Sequence, residues 1–135
     1  MDSFILEMKE RLGFLFNQED FAIVSESAQN DQPNVNCQLI LSNGELDIKT
    51  TKDRGQFFID IKASQMKLSE WTSIGLIRHI LLGAQGFDEM LDGKSVDFLK
   101  RYYNEIKDFF LVGNLEEVRN TIKKAKTERS KFLFG

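Results

Sequence analysis

Residues Asn34 to Lys62, NVNCQLILSNGELDIKTTKDRGQFFIDIK, form three alternating apolar and polar runs separated by two short turn-like stretches. Strand side chains alternate between two faces with period two, whereas a helical face recurs every 3.6 residues. An alternation broken twice by turn residues therefore predicts three antiparallel strands joined by hairpins. Asn43-Gly44 suits a two-residue type I′ turn, whose central residues both take positive φ. That turn sets Leu41 against Leu46, Leu39 against Ile48 and Cys37 against Thr50. A second hairpin centred between Arg54 and Gly55 sets Thr50 against Ile59 and Ile48 against Ile61, on the same face. On the opposite face Lys49 meets Asp60 and Asp47 meets Lys62, and opposite charges directly across a strand pair stabilise it. Gly55 supplies backbone freedom there, and Asp53 accepts from amides two residues on. A strict two-residue turn would force Arg54 to positive φ, where its Cβ is crowded. A slightly longer or distorted turn with the same register is therefore expected.

This pairing sorts the residues by face. Leu39, Leu41, Leu46, Ile48, Ile59 and Ile61 belong to the side that helices should cover. Gln38, Ile40, Ser42, Asp47, Lys49, Thr51, Phe58, Asp60 and Lys62 belong to the other, and a side so polar can stay wet in an antiparallel sheet.

The flanks read as helices and one further strand. Phe4, Ile5, Met8, Leu12 and Leu15 recur at helical spacing between Asp2 and about Phe16, with Asp2 or Ser3 as cap and Gly13 as a weak point. FAIVSESA, from Phe21, reads as a strand, and QNDQPN as a loop. Ser69 is placed to cap EWTSIGLIRHILLG, with Trp71, Ile74, Ile77, Ile80 and Leu81 on its apolar face and Gly83 as its stop. AQGFDEMLDGK is a glycine-punctuated connection. Ser95 opens VDFLKRYYNEIKDFFLVG, which Gly113 ends. Asn114, with Glu117 three residues later, starts a last helix through Leu115, Val118, Ile122 and Ala125. That helix becomes basic at Arg119, Lys123, Lys124, Lys126, Arg129 and Lys131. The order implies one α+β domain over residues 1–135: an N-terminal helix, an antiparallel β-meander of about four strands, then three or so C-terminal helices packed on one sheet face.

Composition narrows the function. A chain of 135 residues buries enough surface to need no disulfide or metal staple. The single cysteine, Cys37, rules out an intramolecular disulfide and fits a reducing compartment. The opening MDSFILEMKE is acidic where a secretory leader is basic, and no apolar run approaches the roughly 18 residues that span a bilayer. A cytoplasmic protein is expected, with no membrane partner. Up to Gly75 there are 12 acidic and 7 basic residues, and beyond it 9 and 11. The acidic half disfavours non-specific contact with nucleic acid.

Catalytic signals are sparse. His79, the only histidine, lies opposite the centre of its helix's apolar face and reads as a rim residue; Cys37 reads as a small buried hydrophobe. One histidine and one cysteine leave no zinc-ligand spacing. Asp47 and Asp60 share the open face, but each has a lysine directly across. No catalytic residue, metal ligand or cofactor is assigned. The reading is a non-catalytic module that binds another protein, with contact residues Asp47, Lys49, Asp53, Arg54, Gln56, Phe58 and Asp60. Two alternatives stay open. One is a small metal-dependent hydrolase using Asp47 and Asp60, and the other is nucleic-acid binding through Arg119 to Lys131.

EDFAIVSES, CQLILSNGELDIKTTKDRGQFFIDI and SEWTSIGLIRHILLG resemble stretches of a loosely defined set of small bacterial proteins of unknown function. Their pattern has an N-terminal helix, a strand, an apolar strand before a short turn, a DRGQ turn with an alternating strand, and a Trp-containing helix. Small acidic α+β proteins of this kind are similar to immunity proteins of bacterial polymorphic toxin systems. The resemblance runs from about Phe4 to Gly83 and carries over no functional residue. It implies an inhibitor that occludes a cognate toxin.

Overall fold

The structure, a computed structural model, describes residues 2–28, 36–83 and 93–134, the side chains of 132–134 excepted. The QNDQPN loop and most of the AQGFDEMLDGK connection lie outside the described residues. Strands β1 (Ala22–Ala28), β2 (Cys37–Ser42), β3 (Leu46–Asp53), β4 (Gln56–Ala63) and β5 (Thr72–Ser73) form one antiparallel sheet in sequence order. Helices α1 (Asp2–Arg11) and α2 (Gly13–Gln18) precede it. A 3₁₀ turn, Leu68–Glu70, leads into β5, and α3 (Ile74–Leu82), α4 (Gly93–Arg101), α5 (Tyr103–Leu111) and α6 (Leu115–Phe134) follow. The α+β meander with C-terminal helices is therefore the architecture observed, with β1 at one edge and a two-residue β5 at the other. Among the described residues no helix is long and apolar enough to cross a membrane.

One sheet face is the floor of the core. Leu39, Leu41, Leu46, Ile48, Ile59 and Ile61 are all at most 1% exposed. Met8, Leu12 and Leu15 from the N-terminal helices, Ile74 and Ile77 from α3, and Ile106 and Phe110 from α5 join them in one cluster. Val118, Ile122 and Ala125 bring the inward stripe of α6 into the same core. Each fully buried Leu or Ile contributes about 1.5–3 kcal/mol relative to exposure.

The second hairpin has the register read from its charges. Thr50 faces Ile59, Ile48 faces Ile61, Lys49 faces Asp60 and Asp47 faces Lys62. The turn, however, is neither longer nor distorted. Asp53 pairs directly with Gln56, and the two residues between, Arg54 and Gly55, take φ of 53° and 81°. Cross-strand pairing holds Arg54 in the left-handed region at its own conformational cost. Arg54→Gly should therefore raise unfolding stability by about 0.5–1 kcal/mol in a urea titration, and Gly55→Ala should lower it.

The first hairpin departs from expectation. Leu41 faces Ile48, Leu39 faces Thr50 and Cys37 faces Lys52, so the loop is two residues longer than a type I′ turn. The cause is the Asn43 side chain. Its Oδ1 accepts from the Glu45 and Leu46 amides at 3.0 and 2.9 Å, and its Nδ2 donates to the Glu19 carbonyl at 3.1 Å. An asparagine that bonds its own following backbone makes an Asx turn instead of entering the φ-positive pair. A slip of two residues preserves side-chain parity, so every apolar residue keeps its face.

Three helix boundaries also differ. The N-terminal helix breaks at Leu12, just before Gly13, and both Leu12 and Leu15 are fully buried. The helix expected from Ser95 begins at Gly93 and is interrupted at Tyr102, which separates α4 from α5. The helix expected from Ser69 begins at Ile74, where the Ser73 hydroxyl accepts from the Leu76 amide at 3.3 Å. Its other end is as expected: Gly83 closes it in the left-handed region at φ 59°.

Tyr103 supplies a test of the packing. Its hydroxyl is buried without a hydrogen-bond partner among the described residues, although the Asn43 amide lies nearby. Burial pushes the phenol up to about 12, and the Glu19 and Glu45 carboxylates add to the effect, against the opposing Asn43 amide. Tyr103→Phe should leave stability unchanged or raise it by about 1 kcal/mol at neutral pH, because an unpaired buried hydroxyl is removed. A folded-state pKa above the unfolded value of about 10 favours folding below that pH, and this advantage is lost as pH rises towards 12. The phenylalanine variant should lack that part of the alkaline loss in melts recorded across pH 9–12.

Candidate partner-binding face

The face of the sheet turned away from the helices collects most of the residues assigned to partner contact. Side-chain parity places Asp47, Lys49 and Asp53 of β3 and Gln56, Phe58 and Asp60 of β4 together on it, and Arg54 stands at the turn tip. Three cross-strand rows precede the Asp53/Gln56 pair at the turn. Ser42, Asp47 and Lys62 form one; Ile40, Lys49, Asp60 and Ser73 the next; Gln38, Thr51 and Phe58 the third. From Asp47 to Asp53 the face runs about 20 Å along the strand. Ile40, Lys49, Phe58 and Asp60 are all partly exposed, and Arg54 and Gln56 are exposed. Asp53 lies 3.9 Å from the Arg54 guanidinium, in a solvated pair of little energetic consequence.

Trp71 belongs to this face rather than to the apolar face of α3 on which helical spacing sets it. It stands in extended backbone between the 3₁₀ turn and β5. Its ring lies over the open-face amines, 5.0 Å from Lys49 Nζ and 5.2 Å from Lys62 Nζ. Helical spacing from Trp71 to Ile74 made the residue look like part of an apolar stripe. The signal against that was Thr72-Ser73, a capping residue placed directly before the unbroken apolar run of α3.

The ionic row at Asp47 is not a solvated lattice. Lys62 is 3% exposed and donates to Asp47 Oδ2 at 2.8 Å and to the Met66 carbonyl at 3.1 Å. It also reaches the Ala63 and Ser64 carbonyls at 3.5 Å. Asp47 Oδ1 accepts from the Ser64 hydroxyl at 2.6 Å. Burial alone would raise the Asp47 pKa. The bonds from Lys62, Ser64 and Ser42, with the charge of Lys62, outweigh it and hold the carboxyl below its ordinary value. Asp47 and Lys62 therefore anchor the chain after β4 to the sheet, and Trp71 closes over them.

The two alternative sites look different in three dimensions. A hydrolase built on Asp47 and Asp60 needs carboxylates without lysine neighbours, and Asp47 holds Lys62. Among the described residues no group of three or more His, Cys, Asp or Glu is placed to hold a metal ion. His79 is at the rim, as read, with its Nε2 3.0 Å from Glu128 Oε2 on α6. Cys37 is a buried thiol on the core side. On the basic helix, Arg119 is engaged by Glu70 at 2.7 Å. No family model, no curated protein and no solved structure matches the chain.

Proposed function

We propose that the chain is a non-catalytic protein-binding module that docks through the open sheet face, acting as an immunity-type inhibitor of a toxin. The observation that supports this most is the one-sided sheet. Its face away from the core displays Trp71, Phe58 and Ile40 among Lys49, Asp60 and the Asp53–Gln56 turn. Partly exposed aromatics ringed by charge are the composition of interface hot spots: the rings supply affinity, and the charges select the partner and speed encounter. The test begins with the tagged full chain purified from its source cells with its partner. Phe58→Ala and Lys49→Glu should release that partner, while Leu6→Ala and Val112→Ala, at exposed positions on α1 and just after α5, should retain it. If the partner is a toxin, cells expressing it alone should stop growing and co-expression of the chain should restore growth. A partner held equally by all four variants would remove the face from consideration. A partner that is harmless alone would remove the inhibitor reading and leave the binding one.

A further inference from the structure

A cleft of about 240 Å³ separates α6 from the 3₁₀ turn at Leu68–Glu70. It shares no residue with the open sheet face. Its apolar floor is Met66 and Ile122, both buried. Arg119, Lys123 and Lys126 line its α6 wall. They stand at i, i+4 and i+7, which puts three cations on one helical face over about 10 Å. Ser69 and Glu70 line the opposite wall.

Glu70 is the only carboxylate among these lining residues. Its Oε2 accepts from Arg119 Nε at 2.7 Å, and its Oε1 from Arg119 Nη2 at 3.3 Å and from the Lys67 amide at 3.0 Å. Lys123 and Lys126 have no ion-pair partner among the described residues. A guanidinium carries five N–H donors, and Glu70 occupies two of those of Arg119. The lining therefore has two positive charges in excess, several free donors, and an apolar floor beneath them.

We propose that this cleft binds a phosphomonoester carried on an apolar group. The phosphate dianion matches the excess charge of the lining, and a monocarboxylate would leave one cation uncompensated. Its oxygens accept from Lys123, Lys126, the unused N–H groups of Arg119 and the Ser69 hydroxyl. The apolar body covers Met66 and Ile122. Glu70 acts as a built-in competitor, because its carboxylate already occupies part of the guanidinium fork.

The test is an amide-detected NMR titration of the full chain at low salt with phenyl phosphate, inorganic phosphate, benzoate and a single-stranded oligonucleotide. Phenyl phosphate should shift the amides of Ser69, Glu70, Lys123 and Lys126 saturably, and should bind several-fold more tightly than inorganic phosphate or benzoate. Lys123→Ala with Lys126→Ala should weaken it about tenfold. Glu70→Gln should tighten it several-fold, a gain that no loss of folding can imitate. The proposal fails if phenyl phosphate gives no saturable shifts, if the double variant binds it unchanged, or if Glu70→Gln fails to tighten it. It also fails if inorganic phosphate or benzoate binds as well. An oligonucleotide that binds more tightly than phenyl phosphate, with shifts along the whole of α6, would replace the cleft with a nucleic-acid surface.

Discussion

Asp47→Ala should destabilise the fold by about 3–5 kcal/mol, the largest loss expected from any single polar substitution. The substitution leaves the Lys62 ammonium, 3% exposed, facing three backbone carbonyls and the Trp71 ring with no counter-charge. Lys62→Ala should cost a similar amount, since it removes the buried stem and strips a donor from those carbonyls and from Asp47. The two losses should not add. Once one partner is gone the other has little left to lose, so a double-mutant cycle by urea unfolding should return a coupling energy of about 2 kcal/mol or more. Replacing the pair by Asp47→Leu with Lys62→Met should recover much of the loss, because burying two charges carries a desolvation cost that an apolar pair avoids. Acid should reveal the same pair. The Asp47 carboxyl is held below its ordinary value in the fold, so its contribution is complete above the unfolded value of about 3.9. It is lost as pH falls through the lower folded value. The Asp47→Ala chain should lack that component of acid unfolding.

The second large effect is on binding. Phe58→Ala should weaken the partner complex by about 2 kcal/mol, roughly thirtyfold, and should act mainly on the dissociation rate. Phe58 is partly exposed beside Thr51, one row from the turn pair and on the side away from the core, so its truncation leaves little cavity. Lys49→Glu should act differently. It reverses a charge on the proposed docking face, and should slow association and change the dependence of that rate on salt. Trp71→Ala would combine both kinds of effect, because the partly exposed ring meets the Lys62 amine as well as that of Lys49. Phe58 is therefore the cleaner probe of affinity, provided a thermal melt shows the variant folded.

The sheet was legible in the sequence because two independent signals agreed on it. Alternation gave Leu39, Ile48 and Ile59 a common face, and the Lys49/Asp60 and Asp47/Lys62 pairings selected one register for the second hairpin. The first hairpin rested on Asn43-Gly44 alone. Side-chain bonding by Asn43 competes with the turn that this dipeptide otherwise favours, and nothing in composition tells which wins. Parity rescued the faces from that error. Trp71 was misplaced because a spacing of three to Ile74 satisfies helical periodicity whether or not the helix has begun. The burial of Lys62 was invisible for a different reason. Lysine reads as a surface residue unless a partner is already known to be dry, and here the cover comes from Trp71 and the chain after β4. The residues assigned to partner contact on β3 and β4 thus share one face by parity, while the aromatic ring beside them required the fold.

The claim on which the functional account turns is that the partner sits on the side of the sheet away from the helical core. Hydroxyl-radical footprinting of the chain, free and in its purified complex, tests this directly because it reports side chains one by one. Phe58 and Trp71 should lose reactivity in the complex, while Leu6 on α1 and Leu68 in the 3₁₀ turn, both exposed, keep theirs. Protection of Leu6 or Leu68 with Phe58 and Trp71 unchanged would place the partner elsewhere and contradict the account.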